Sequence, residues 1–336
     1  MKEKILVTGA AGFIGSHLVE YLLEKKIPIS SLRLFIKTGE SLENLPKRNF
    51  DIIVGDIRNK KDVAKAMETV TTVYHLAARI DFDGKTYAEY EDVNVQGTKN
   101  LLTQAVKNKN FKKFINYSSI GVHGLPAGIG DIVNWDETHE PSYTNFYGRS
   151  KWEAEKAVRA AHKKYGLAYA IIRPASVYGP REKGPTLALY KAVKSGQFLM
   201  IGNGSNKMHY VFVRDLVVAT YLAGASKRSS GEYIIAGPNP TQFKDVVKYV
   251  AQSIGKPVPK LCISKPLALC IAYIFQILTR ATGKTLPLFP SRVKTMTTTY
   301  YYNISKAKKE LEYKPKVSFK EGSKIVGEWY IENGFL

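Results

Sequence analysis

The sequence predicts an α/β fold, a doubly wound parallel sheet with a smaller, mixed C-terminal lobe. Three observations carry this. Strand-like runs alternate with helix-like stretches along most of the chain. The strands are apolar at consecutive positions, as expected where both sheet faces are covered. A glycine turn, Thr8-Gly-Ala-Ala-Gly-Phe-Ile-Gly-Ser-His17, directly follows the first apolar run, Ile5-Leu6-Val7. At 336 residues the chain can bury a large core, and 44% hydrophobic with 24% charged residues is a globular composition.

In chain order, strands are predicted at 4–8, 32–36, 51–54, 72–76, 114–118 and 168–172. A glycine-rich loop follows at Gly196 to Asn206, then a short strand entering a helix at His209 to Asp215, and a last strand at Tyr233 to Gly237. Residues 1–175 with about 209–237 are expected to form the nucleotide-binding part. Residues from about 176–208 with 238–336 form the lobe.

The glycines Gly9, Gly12 and Gly15 have distinct physical roles. One makes the tight strand-to-helix turn, one leaves room for a pyrophosphate at bare backbone, and one lets the helix sit close to the sheet. Their place between a strand and an amphipathic helix marks a nucleotide site. Further on, Tyr147-Gly-Arg-Ser-Lys151 puts a phenol and an ammonium on one helix face. A neighbouring positive charge favours the phenolate, so the tyrosine is expected to exchange a proton near neutral pH. Phe114-Ile-Asn-Tyr-Ser-Ser119 is a buried-type strand ending in hydroxyls, one of which could hold a substrate oxygen.

Together these segments resemble the extended short-chain dehydrogenase/reductase family, also called the NAD-dependent epimerase/dehydratase family. The nearest branch is that of 3β-hydroxysteroid dehydrogenases and dihydroflavonol reductases. The other matching pieces are Gly55-Asp-Ile57, Val73-Tyr-His-Leu-Ala-Ala78, Asn94-Val-Gln-Gly-Thr98 and Arg173-Pro-Ala-Ser-Val-Tyr-Gly-Pro180. The likeness covers residues 4 to about 240 well and the remainder loosely.

The resemblance implies a Rossmann-type sheet and a catalytic set of Ser119, Tyr147 and Lys151, with Asn94 supporting it. It implies that Gly9, Ala11, Gly12, Phe13, Ile14 and Gly15 bind the cofactor. Asp56 and Ile57 hold the adenine edge, and Leu76, Ala77 and Ala78 line the pyrophosphate and nicotinamide ribose. Pro174, Tyr147 and Lys151 complete the cofactor site. On the substrate side it implies Arg79, Val177, Arg181, Lys207 and Arg292. It also implies a homodimer through the helices bearing Asn94 and Tyr147.

The second strand ends Leu34-Phe-Ile-Lys37, with no acidic residue at its end. A basic residue there suits the 2′-phosphate of NADP. Lys37 therefore points to NADP, with NAD possible through Glu40 or Ser41. Arg33 lies inside the strand.

Sugar-nucleotide members commonly carry Arg-Asp-Phe after the glycine-rich loop; here the stretch is Asn206-Lys-Met-His-Tyr210. Dehydratases place Asp-Glu after the catalytic hydroxyl; here Ile120-Gly121 follow Ser119. The expected activity is therefore NAD(P)-dependent interconversion of a secondary alcohol and a ketone on a largely apolar, steroid-, terpenoid- or flavonoid-like molecule. A nucleotide-sugar 4-epimerase using the same three residues is the alternative, and a non-catalytic dinucleotide-sensing relative a second one. The pocket is expected to be lined from 176–208 and 260–300, with few fixed positive charges.

The net charge of +21 is spread over scattered lysines and no nucleic-acid module is recognisable, so no nucleic-acid partner is expected. Two cysteines, Cys262 and Cys270, supply neither a disulfide framework nor a metal spacing. No leader segment is recognisable before the first strand, which favours the cytoplasm. Residues 266–278 are apolar nearly all round but shorter than the ~20 residues that span a bilayer. They are expected to form a buried lobe helix, with a substrate lid or a face resting on membrane as the other readings.

Overall fold

The computed structural model describes residues 3–80, 86–124, 133–282 and 288–336. Residues 283–287, part of the expected pocket lining, lie outside the described residues. Seven strands form the central sheet: β1 (Ile5–Thr8), β2 (Leu32–Ile36), β3 (Asp51–Val54), β4 (Thr72–His75), β5 (Lys113–Tyr117), β6 (Tyr169–Pro174) and β7 (Glu232–Ile235). Their spatial order is β7-β6-β5-β4-β1-β2-β3, and every pairing is parallel. The strand order reverses between β1 and β4, and the carboxyl ends of those strands open the crevice where such sheets bind ligands.

Alternation of side chains along each strand feeds two separate cores. Ile5, Val7, Leu34, Ile36, Ile115 and Ile172 face helices α1 (Phe13–Glu24) and α6 (Val213–Ala225). Leu6, Phe35, Val73, Phe114 and Ile171 face α2 (Lys60–Ala66), α3 (Gly97–Ala105) and α4 (Phe146–Tyr165). Leu18 and Leu22 of α1 are fully buried. Each such side chain contributes roughly 1.5–3 kcal/mol of burial free energy, which holds α1 on the sheet. α3 is led by a helical turn, Tyr87–Tyr90, and a π-helical stretch, Glu91–Gln96.

The lobe has its own core between α5 (Pro185–Lys194), α7 (Phe243–Ser253) and α11 (Phe319–Glu332), while α10 (Ser305–Leu311) packs back on the α1 and α6 side. The expected strand at 209–215 is Tyr210–Phe212, running straight into α6 and pairing in parallel with Ser176–Tyr178. The glycine-rich loop contains a short strand of its own, Met200–Ile201, paired with Cys262–Ile263.

The apolar run at 266–278 lies in α8 (Lys265–Thr282), beside α9 (Pro290–Thr297). It is not a buried helix. Small residues, Ala268 and Ala272, face inward, whereas Leu267, Tyr273, Ile274, Ile277 and Leu278 are exposed.

Candidate active site

The glycine turn is built by close approach. Gly9 has φ +65°, and a Cβ there would lie 2.8 Å from the Ala77 nitrogen at the end of β4. A Cβ on Gly15 would fall 2.0 Å from the Gly9 carbonyl oxygen, so only glycine lets α1 start so near the turn. Gly12 is the N-cap of α1 and makes no side-chain cap. A Cβ there would meet the Gly9 oxygen at a tight 3.3 Å and nothing else within 4 Å, so the space beside the helix N-terminus is otherwise open. Free N–H groups, the positive end of the helix dipole and an open cradle fit the pyrophosphate of a dinucleotide. Ala11 is buried, Ile14 packs on the core, and the Phe13 ring lies across from Gly179.

Lys37 is exposed at the end of β2, and its backbone N–H donates to Glu40 Oε2 at 3.2 Å. Arg33 turns away from this end: it donates to Asp51 at 2.9 Å and to the Glu68 carbonyl at 2.9 Å. Asp56 accepts from Arg58, whose hydrogen bonds hold its carboxyl below its ordinary pKa. Ile57 is buried against Gly97, and Leu76 and Ala78 are half-buried at the end of β4.

The second half of the site is set by α4. Asn145 caps this helix by accepting from the Gly148 N–H at 2.7 Å, so the helix begins just before Tyr147. One turn on, Lys151 Nζ lies 5.9 Å from the Tyr147 ring centroid and donates to the Tyr117 carbonyl at the end of β5 at 2.8 Å. Ser119, two residues past β5, caps the turn Ile120–His123 by accepting from Gly121 N–H at 3.0 Å. Its hydroxyl is in hydrogen-bonding reach of the Tyr147 phenol. Ser119, Tyr147 and Lys151 are thus together, beside the crevice.

Their electrostatics differ from the sequence expectation. Burial raises the Tyr147 pKa, and the Ser119 hydrogen bond only partly offsets it. The Lys151 ammonium is turned to the Tyr117 carbonyl; burial brings it down to about 8, against an upward pull from Glu155. The phenol is therefore held protonated at neutral pH, the form that donates.

Asn94 joins the two halves. Its side chain accepts from Arg79 N–H at 2.7 Å and donates to the Arg79 carbonyl at 3.0 Å and Ser150 Oγ at 2.8 Å. Ser150 in turn donates to the Tyr147 carbonyl at 2.8 Å. Behind it runs a buried chain the sequence reading missed. Ala77 N–H donates to Thr8 Oγ1, Thr8 Oγ1 meets His75 Nδ1 at 2.8 Å, and His75 Nε2 meets Thr98 Oγ1 at 3.0 Å. Thr98 spends its only hydroxyl proton on the Asn94 carbonyl, at 2.7 Å. It must accept from His75, which fixes the proton on Nε2 and leaves Nδ1 to accept from Thr8. Burial brings His75 down to about 3, so the ring is neutral. The one signal in the sequence was a histidine inside an otherwise apolar strand.

Gly121 and Gly148 were also missed. A Cβ on Gly121 would sit 3.3 Å from Ser119 Oγ, and one on Gly148 would sit 2.4 Å from the Gly121 oxygen. Lower on α4, Glu155 accepts from Arg173 at 2.9 and 2.7 Å, and Arg173 also reaches Glu232. Burial would raise the Glu155 carboxyl; the bonds and charge of Arg173 outweigh it and hold it low. This cluster fixes α4 to β6 and β7.

Each residue expected on the substrate side has surroundings of its own. Arg79 pairs with Glu89 at 2.8 Å. Arg181 (φ 73°) pairs with Glu20 of α1 and donates to Ser16 Oγ at 3.2 Å. Lys207 is exposed, and its N–H donates to Thr299 Oγ1 at 3.2 Å. Arg292 lies 5.9 Å from the Phe289 ring centroid. Val177 pairs in register with Val211, and Pro174 with Ile235.

A reversing parallel sheet, a glycine turn against its switch point and a Ser-Tyr-Lys group beside it define a dinucleotide-dependent enzyme. The chain belongs to the NAD dependent epimerase/dehydratase family, whose profile it matches over residues 5–236. It is 30% identical to N-acetyl-alpha-D-glucosaminyl-diphospho-ditrans,octacis-undecaprenol 4-epimerase of Escherichia coli O157:H7, covering 91% of this chain and 89% of the relative. It is also 30% identical to the decarboxylating sterol-4-alpha-carboxylate 3-dehydrogenase of Candida albicans, covering 98% of each. The structure of UDP-glucuronic acid 4-epimerase from Bacillus cereus in complex with NAD superposes with a TM-score of 0.76 at 26% identity, over 99% of this chain and 100% of that one. The protein is an enzyme of the nicotinamide-dependent dehydrogenase and epimerase kind, and a nicotinamide dinucleotide is its cofactor.

Proposed function

We propose that this NAD(P)-dependent oxidoreductase interconverts a secondary alcohol and a ketone on a largely apolar molecule of steroid, terpenoid or flavonoid type. One observation carries the reading: a hydroxyl, a protonated phenol and an ammonium converge at Ser119, Tyr147 and Lys151, with Ile120 and Gly121 in place of further acidic groups. In reduction, Ser119 donates a hydrogen bond to the substrate oxygen and Tyr147 gives it a proton. Lys151, anchored on the Tyr117 carbonyl, holds the nicotinamide ribose and steadies the phenol. When bound, the nicotinamide supplies the hydride in this direction and takes it in the other.

The glycine turn with Phe13 and Ile14 holds the pyrophosphate, and Asp56 and Ile57 take the adenine side. Lys37, exposed at the end of β2, favours NADP over NAD. Titrating both dinucleotides against wild type and Lys37→Asp tests this: the mutant shifts toward NAD, and a wild type already tighter for NAD removes the assignment. In this reading the enzyme is a cytoplasmic homodimer packed through α3 and α4. It touches a lipid surface peripherally through 266–278.

The apolar substrate class is supported by the acidic partners that two of the basic residues already have. A buried diphosphate costs several kcal/mol unless cations converge on it, and here Arg181 is committed to Glu20 and Arg79 to Glu89. The second reading, 4-epimerisation of a nucleotide sugar, is favoured by the likeness to the UDP-glucuronic acid 4-epimerase from Bacillus cereus. Cofactor turnover with ketosteroids, flavonoid-like ketones and UDP-sugars, together with UDP calorimetry on the dinucleotide-loaded protein, separates the two. Ketosteroid-like turnover without UDP binding is the expected result. Micromolar UDP binding lost on Arg292→Ala would replace the first reading with the second.

A further inference from the structure

Helix α8 turns an apolar face outward, which is unusual for a helix on a globular surface. Its outward positions are Pro266, Leu267, Cys270, Tyr273, Ile274, Ile277 and Leu278. At ~100° per residue these fall within an arc of about 140°. None is charged, and Leu267, Tyr273, Ile274 and Ile277 are each more than half exposed, at 53, 57, 55 and 65%. In the stretch before the helix, Val258 (41%) and Leu261 (68%) are also exposed. Such a contiguous apolar face marks a surface that something covers.

Charge says what covers it. Between Asp245 and Glu310, residues 246–309 contain no Asp or Glu, and they hold eleven Lys and Arg. Of these, Lys256, Lys260 and Lys265 lie in the stretch that runs into α8. A second copy of the chain docked here would bring two such basic segments together. An apolar helix face flanked by lysines and free of acidic groups is complementary to an anionic bilayer, with side chains entering the headgroup–acyl boundary and ammonium groups meeting lipid phosphates. No helix among the described residues is long and apolar enough to cross a membrane, so the helix lies in the interface plane.

We propose that α8 is a membrane-docking helix that seats the enzyme on an anionic lipid surface through Leu267, Tyr273, Ile274, Ile277 and Leu278. The lysines of 256–265 act as its electrostatic rim. This makes the peripheral contact named above specific, and it does not depend on which alcohol or ketone is turned over.

The test is flotation of the full chain with vesicles of phosphatidylcholine alone and of equal parts phosphatidylcholine and phosphatidylglycerol. Binding is expected only to the anionic vesicles. It should weaken in high salt, and Ile274→Glu/Ile277→Glu should lower it by about tenfold or more. Those side chains point outward, so the variant keeps its melting temperature and its affinity for NAD. A polarity-sensitive dye on Cys270, with Cys262→Ser to make attachment unique, should shift to the blue on anionic vesicles. No flotation, flotation unchanged in the double variant, or a soluble dimer that the double variant dissociates would each overturn the proposal. Intact NAD affinity in the same variant shows that the dinucleotide site stands regardless.

Discussion

At the phenol of Tyr147, burial and a hydrogen bond oppose each other, and burial wins. The group stays protonated at neutral pH, pressed against Ser119 and near an ammonium that bonds elsewhere. Tyr147→Phe keeps the ring and removes the proton, so kcat should fall by about 10²–10⁴-fold with dinucleotide affinity unchanged. Stopped-flow rates and calorimetry report the two separately, and turnover within a few-fold of wild type would leave Tyr147 a packing residue. Lys151 gives a pH signature. Its folded pKa is about 8, against an ordinary 10.5. Between those values the unfolded chain binds the proton more tightly, so the free energy of unfolding rises with pH. Compared with Lys151→Met, wild type should therefore gain stability as pH climbs from about 8 to 10.5, with a constant difference below pH 8. Denaturant melts across this range check it, and a difference flat throughout would mean that the ammonium is not desolvated.

The glycine turn is an element in which two neighbouring substitutions should part company. Gly15→Ala drives a methyl into backbone, 2.0 Å from the Gly9 oxygen, and α1 must lift from the sheet. Overpacking of this kind costs about 1–3 kcal/mol, so both melting temperature and dinucleotide affinity should drop. Gly12→Ala meets only the Gly9 oxygen, at a tight 3.3 Å that a shift of a few tenths of an ångström relieves, and should cost the fold much less than Gly15→Ala while blocking the pyrophosphate. Thermal melts with NAD titrations separate the two; unchanged dinucleotide affinity in Gly12→Ala would show that the cradle is not where the ligand sits.

Across the whole molecule, what was legible in the sequence follows from burial on two sides. β1, β4, β5 and β6 are buried at every position, so they read as mostly apolar runs, broken only by residues such as His75, Lys113, Asn116 and Arg173, and their limits are nearly readable. Tyr147 and Lys151 were legible because i, i+4 spacing puts them on one helix face; Ser119 was singled out among the strand-end hydroxyls only by the family resemblance. Less visible were features that depend on distant partners. The Thr8–His75–Thr98–Asn94 chain joins residues 67 and 23 positions apart, and no spacing rule connects them. The outward face of α8 was hidden for a different reason: an apolar run reads as buried unless the small residues at 268 and 272 are seen to mark the inner side. The Tyr147 expectation missed because lysine proximity was weighed without the carbonyl of Tyr117 that claims the ammonium.

The π-helical stretch Glu91–Gln96 has a bearing on which length variants this fold can accept. A π turn is an α-helix carrying one surplus residue, so its length is set in steps rather than continuously. Upstream of it, Tyr90 packs near Phe146 with Arg79 across its ring; within it, Asn94 reaches Arg79 and Ser150. Excising the exposed Asp92 would close the turn into ordinary α-helix and draw its two sides together along the axis by about one residue's rise, ~1.5 Å. Tyr90 and Asn94 could not both keep their partners. Such a deletion variant should retain its helical circular dichroism and lose turnover, so that an alignment gap at this point in a relative's sequence would be the mark of a rebuilt active site rather than of a trimmed loop.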